Sequence, residues 1–442
     1  MKKGLLSVSM LLAVWFSVAQ QGQTLSLEQA VEYAMQHQPS FQNYKVDQQI
    51  AGAKSLEATS KYLPKVSGSA DLRDNLKLGQ IVVELPNPLT GEKISQQIQQ
   101  GTKYSMNAGV DLTQPLLDVS AISDMKAAKT QGQLSAIQLQ QAVVDLKVNV
   151  ARAYYLVLLN QERLGKAEKS VQRFQKASED AKVKFDNQNA LKSEVNRSLL
   201  NLSNAKYSLQ VAQDSVKTAM ASLAFLIGLP ADASLTLSDQ LPREVKEVAL
   251  PEYPDFTAAE QLRNELKAET MQQLLARQQL SKINNQYIPT LNGYAFIGGT
   301  GLDNKNIFTE NKWFWTSYIG LRLNVPIFDG LQKMALGKQQ KLQVTKSDNN
   351  LAQIRNNILY QLVQSAVNYA NSSKNLQLIK SNVTLAEEIV QEATVRYQNG
   401  MATFQEVLDA ETTLKDTEFN YLQAMYAFLL SELDWKKANG KL

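Results

Sequence analysis

No cysteine occurs in the 442-residue sequence, and His37 is its only histidine. These absences exclude cysteine-ligated zinc, thiol chemistry, Cys-His nucleophiles and most general-base designs built on imidazole. His37 stands two residues before Pro39 with no second histidine to pair with, so it reads as a helix-end residue rather than a ligand. An excess of one charge is also missing. Lys, Arg, Asp and Glu are interspersed and the net charge is +4, which leaves no electrostatic footprint for nucleic acid. Beyond the N-terminus no apolar run approaches the ~20 residues of a membrane-spanning helix. Proline is scarce as well: 11 occur, none between Pro115 and Pro230 and none after Pro326.

A 44% hydrophobic content is enough for a sizeable core, and the length suits two or three ordinary domains. At the start, "MKK" supplies a basic region, residues 5–18 an apolar region, and "SVAQ" a small-x-small site after Ala19. Residues 1–19 are therefore expected to be a secretory signal. A membrane anchor fits less well, because the stretch is short and carries Ser7, Ser9 and Ser17. With no cysteine there is no lipid attachment at a mature N-terminal Cys, so a membrane protein of this sequence has to be a barrel.

The chain is written twice. "KYLPKVSGSADL" from Lys61 matches "QYIPTLNGYAFI" from Gln286, "QPLLD" at Gln114 matches "VPIFD" at Val325, and "KFDNQNALKSEV" at Lys184 matches "RYQNGMATFQEV" at Arg396. From the third match onward the offset is constant at 212 residues, placing Gly228 on Gly440. Between the copies, residues 229–256 hold Pro230, Pro242, Pro251 and Pro254. The expected organisation is a first repeat over residues 20–228, a proline-rich linker over 229–256, and a second repeat over 257–442.

Each copy has two alternating segments, three of the four strict. Tyr104, Met106, Ala108, Val110 and Leu112 oppose Ser105, Asn107, Gly109, Asp111 and Thr113; Trp313, Trp315, Ile319, Leu321, Leu323 and Val325 oppose Thr316, Gly320, Arg322 and Asn324. Val66, Gly68, Ala70 and Leu72 oppose Ser67, Ser69, Asp71 and Arg73, and residues 291–298 alternate less cleanly. Strands of this length, apolar on one face and polar on the other, fit a transmembrane barrel and also a half-buried soluble sheet.

The remainder reads as helix. Asp118 and Asp329 stand where an N-cap belongs, after each proline-terminated strand. From there to Phe185 and Tyr397 nothing breaks the chain, enough for a rod of ~100 Å. Leu146, Val150, Ala153, Val157, Asn160, Leu164, Ala167, Val171, Phe174, Ser178, Ala181 and Phe185 step by 4 and 3, a coiled-coil seam. Return helices carry seams of period seven, Val195 to Leu223 and Val407 to Trp435, again offset by 212. A further 23-residue helix over residues 40–62 would let each copy build a hairpin of even height. Four strands cannot close a barrel and open edges are not tolerated in lipid, so several chains must pool their strands.

These residues resemble the TolC-type outer-membrane efflux family over essentially the whole mature chain: "LSLEQAVEYAMQHQPS" at the start, the two "Y-[LI]-P" strand starts, "PLLD" and "PIFDG" at the strand ends, and "RYQNGMATFQEVLDAETTL" in the second hairpin turn. The resemblance implies an α/β membrane protein with internal duplication: a homotrimer whose pooled strands form one 12-stranded β-barrel, continued by a long α-helical coiled-coil barrel through the periplasm. It implies a periplasmic adaptor and an inner-membrane pump as partners, with the channel doing no chemistry and holding no cofactor or metal. The lipid-facing residues are then Trp313, Trp315, Ile319, Leu321 and Leu323. The hairpin tips expected to meet the adaptor are Gln188, Asn189, Gly400 and Met401.

Glu406 and Asp409, at i and i+3 on the return helix, share one face turned away from Val407 and Leu414. In a trimer they give two stacked carboxylate rings at a periplasmic gate. The resemblance also implies that Tyr397 and Glu194 make contacts holding the tip closed. Two departures from the family pattern stand out: Gln188 replaces the usual turn glycine of the first hairpin, and Ala402 stands where some members carry a base. A secreted coiled-coil scaffold would explain the heptads and the signal but not the duplicated alternating strands. An enzyme fits less well still, since "GGTG" at Gly298 lacks a following helix and reads as a strand-end loop.

Overall fold

A computed structural model of the chain describes residues 23–86, 91–242, 256–305 and 313–442. The expected signal, residues 1–19, and residues 243–255 of the expected linker lie outside the described residues. In chain order, up to Ile227, come β1 (Gln23–Leu25), α1 (Leu27–His37), α2 (Pro39–Ser60), β2 (Lys65–Asp74), β3 (Gly79–Pro86), β4 (Lys93–Gln100), β5 (Tyr104–Leu117), α3 (Val119–Asp186) and α4 (Lys192–Ile227). There follow β6 (Leu235–Leu237), α5 (Phe256–Leu262), α6 (Asn264–Asn285), β7 (Thr290–Asp303), β8 (Trp313–Asn324), α7 (Gln332–Gln398) and α8 (Phe404–Ala438). Two compact units result: one holds Gln49–Leu134 and Met271–Asn349, the other the chain up to Gln48 with Ser135–Thr270 and Asn350–Leu442.

The first unit contains an antiparallel sheet in the order β2-β5-β7-β8. Its register carries the alternation from strand to strand. Val66 pairs with Leu112, Leu112 with Ala295 and Ala295 with Ile319, so these apolar residues share one face across all four strands. Ser67, Asp111, Phe296 and Tyr318 line up on the other. The apolar face is exposed: Ile319 is 88% accessible, Trp315 76% and Leu321 68%, an arrangement that water does not tolerate over a whole sheet. Among the described residues β2 and β8 each pair on one side only, so both edges are open.

Two expectations change here, and one element is new. "GGTG" is not a strand-end loop; it lies inside β7, where aromatic rings cross the sheet at positions without a Cβ. A Cβ on Gly298 would sit 2.5 Å from the Phe296 ring and 2.7 Å from the Ala108 carbonyl oxygen, and one on Gly299 2.8 Å from Trp313. Pro115 does not stop its strand, because β5 absorbs it in an irregular pairing between Pro115 and Leu117 and continues to Leu117. The β3–β4 ribbon was not foreseen either, although Ile81 and Leu85 facing Ile98 and Ile94 carry a readable period of two.

The helix starts differ in the same way. Asp118 caps α3 as expected, its Oδ1 accepting the Ala121 amide at 2.9 Å. Asp329 does not sit at the N-cap of α7. Gly330 (φ 65) and Leu331 (φ 70) insert a left-handed step, α7 begins at Gln332, and the Asp329 carboxylate reaches the Lys333 amide at 3.2 Å.

The long helices run 68 and 67 residues and the return helices 36 and 35. Among the described residues no helix is long and apolar enough to cross a membrane. The expected seam of α3 is largely inside the helical unit: Val150, Val157 and Ala181 are fully buried, although Phe185 at its end is exposed. Tyr154 anchors that core. Its hydroxyl oxygen lies 3.0 Å from both the Asp239 carboxylate and the Leu25 carbonyl, either of which can accept its one proton, beside the parallel pair β1–β6. Burial first, and then the Asp239 carboxylate, push its pKa up to about 12. His37 closes α1, stacked on Tyr33 at 4.0 Å.

Candidate functional site

The two hairpin turns are built alike from unlike residues. In the first, Gln188 N–H donates to Phe185 O at 2.9 Å and Asn189 N–H to Lys184 O at 2.8 Å; in the second, Gly400 N–H donates to Tyr397 O at 3.1 Å and Met401 N–H to Arg396 O at 2.8 Å. Both are Schellman closures, which need a left-handed residue at the first position past the helix. Gly400 meets the demand at φ 73, and Gln188 meets it at φ 61. A side chain in that region costs about 1–2 kcal/mol. Gln188→Gly should therefore firm the first tip by about 1 kcal/mol, read as slower amide exchange over residues 185–190. Unchanged or faster exchange would show that the turn carries no strain.

Past the second turn, α8 opens with a capping box. The Thr403 hydroxyl oxygen accepts the Glu406 amide at 3.3 Å, and Glu406 Oε1 accepts from the Thr403 amide at 3.1 Å. That backbone hydrogen bond, with the Thr403 hydroxyl, holds the Glu406 carboxyl below the usual carboxylate range. Glu406 thus has a structural duty besides its charge. Glu406 and Asp409 are both exposed on the face away from the buried Val407 and Leu414. Asp409 accepts from Gln405 Nε2 at 2.7 Å, and Gln405 in turn accepts from Arg197 of α4.

Tyr397 lies where the two hairpins meet. Lys184 Nζ sits 3.6 Å over its ring, and Phe404 packs 5.6 Å away. Phe404 and Leu408 join Phe174, Ala181 and Ala205 in a small buried cluster. Glu194 lies in the first turn of α4, but among the described residues no hydrogen bond or ion pair joins it to Tyr397. Among the contacts between the two hairpins at this point are Lys184 on Tyr397 and Arg197 on Gln405.

A second connection was missed. Arg173 Nε meets Glu411 Oε2 at 2.7 Å and Lys166 meets Glu418 at 2.8 Å, tying α3 to α8. Burial first raises the Glu411 pKa, and Arg173 only partly offsets it. The signal was present in the spacing: Lys166 and Arg173 are seven apart, and so are Glu411 and Glu418, one heptad on each of two facing helices.

A family match covers residues 30–229 and again 257–441, under the description "Outer membrane efflux protein". The chain belongs to the outer membrane efflux protein family. Its channel function and its outer-membrane location follow from that membership. The outer membrane protein TolC of Escherichia coli is 22% identical over 441 residues, covering 95% of this chain and 83% of TolC. Alkaline protease secretion protein AprF of Pseudomonas aeruginosa is 23% identical over 344 residues, covering 74% and 70%. Among solved structures, the outer-membrane channel OprN superposes with a TM-score of 0.76 at 18% identity, covering 94% of this chain and 90% of OprN. CusC gives 0.76 at 16% identity, covering 96% and 95%.

Proposed function

We propose that three copies of the chain pool their four-stranded sheets into one 12-stranded barrel, and that their helices form a coiled-coil barrel reaching into the periplasm. The observation that carries this reading is the sheet with two open edges and one exposed apolar face. Four strands are too few to close, while lipid demands both closure and an apolar exterior. Trp313, Trp315, Ile319, Leu321 and Leu323 then face lipid. The two family matches and the paired helix lengths support the duplicated organisation, with the linker over 229–256. The tips, with Gln188, Asn189, Gly400 and Met401, dock a periplasmic adaptor, which couples the channel to an inner-membrane pump. The channel conducts passively. Heat-modifiable migration tests the assembly: a detergent-stable trimer that needs boiling to dissociate supports it, and a monomer without boiling contradicts it.

At the narrow end, Glu406 and Asp409 form two carboxylate rings that favour multivalent cations. Trivalent cations added on the periplasmic side of a reconstituted channel should block its current. Because Glu406 also caps α8, the informative variant is Glu406→Gln with Asp409→Asn, which removes charge and keeps hydrogen-bonding groups. Relief of the block with trimer intact is expected; undiminished block places the constriction elsewhere. The relatives' names range from protease secretion to cation efflux. Comparing susceptibility with and without the gene across a compound panel identifies the cargo.

A further inference from the structure

We propose that the polar face of the sheet, at the end where the strands meet the helices, binds an anionic group of a passing solute, a carboxylate, phosphate or sulfonate, through Lys65 and Arg322. This rests on the reading that this face lines the channel. A cavity of about 560 Å³ opens there, lined mainly by polar side chains that include Lys61, Lys65, Asp124, Lys282, Tyr294 and Arg322. Four cations and two acids, Asp118 and Asp124, line it.

The acids are already engaged. Asp124 is clasped between Lys282 at 2.6 Å and Lys61 at 3.0 Å. Asp118 accepts the Ala121 amide as the cap of α3. Lys65 and Arg322 have no carboxylate partner among the described residues. Arg322 lies 4.9 Å over the Tyr294 ring, a contact that fixes the guanidinium without neutralising it. That ring is placed by Gly320, where a Cβ would sit 2.7 Å from the Tyr294 Cζ.

The sheet order brings the two cations together. β2 and β8 are its opposite edges, and four antiparallel strands leave them running in opposite directions. Closing a ring of three sheets therefore pairs β8 with the β2 edge of the next copy in the same antiparallel sense. Lys65 opens β2 and Arg322 is two residues from the end of β8, so both stand at the same end of that joint. A fork-shaped guanidinium beside an ammonium, three times around one lumen, matches a multivalent oxyanion.

The test uses purified trimer in planar bilayers, with tripolyphosphate as the probe. Block of the wild-type current is expected. Lys65→Gln with Arg322→Gln should raise the half-blocking concentration by about tenfold or more, from the loss of charge-assisted contacts. The exchange Lys65→Arg with Arg322→Lys keeps the charge and should keep the block, which separates charge from misfolding. Because the chain has no cysteine, Thr316→Cys reports whether the same face is wet: a charged thiol reagent should change its current. If Thr316→Cys responds but the Gln variant is blocked as strongly as wild type, the anion site is overturned while the channel lining stands. A Thr316→Cys channel that ignores the reagent overturns the lining and the anion site with it.

Discussion

Ile319→Arg is expected to deplete trimer from the outer membrane, whereas Thr316→Arg on the same strand leaves it in place. Ile319 and Thr316 are three residues apart, so they point to opposite faces of β8. Ile319 pairs with Ala295 on the apolar face, while Thr316 pairs with Gly298 on the polar one. An arginine facing lipid near the midplane costs about 2–4 kcal/mol, a large fraction of what a protein of ordinary stability can lose. On the proposed barrel, the same side chain at Thr316 projects into the lumen. Immunoblots of unboiled outer-membrane fractions measure the difference, and equal trimer at the two variants would contradict the assignment of faces.

Gly400→Gln should abolish efflux while the trimer still assembles. The substitution copies the first tip into the second. Gln188 already occupies the corresponding left-handed position at φ 61, so the turn demonstrably accepts this side chain. A Cβ at Gly400 meets nothing within 4 Å, which leaves only a backbone cost of about 1–2 kcal/mol inside the subunit. Loss of transport from an assembled trimer would then report a surface that approaches the bare backbone, as an adaptor docked on the tip would. Full efflux in Gly400→Gln would reject docking at this glycine.

How much of this could be read from the sequence depends on the range of the interaction. The strands were legible because alternation is local, and the register of β2, β5, β7 and β8 carried one face across all four. The long helices were legible because proline was absent over more than a hundred residues twice. The interior position of "GGTG" was not, since only the cross-strand partners of β7 reveal that Phe296 and Trp313 need those glycines. Asp329 misled for a similar reason: its match with Asp118 concealed the left-handed step at Gly330 and Leu331. At the start of α8, spacing put Glu406 and Asp409 on one face, and the Thr403–Glu406 box was readable as T-x-x-E. Arg197 on Gln405 joins separate helices with no matching spacing to announce it, whereas the heptad pairs Lys166/Arg173 and Glu411/Glu418 were there to be read.

The central claim is that three chains pool their strands into one closed barrel. Native mass measurement of the complex extracted in mild detergent tests it most directly, because two sheets would supply eight strands, enough for a small closed barrel, and three supply twelve. A mass of three chains is the expected result. A complex of two chains, or a monomer that conducts on its own, would contradict the account.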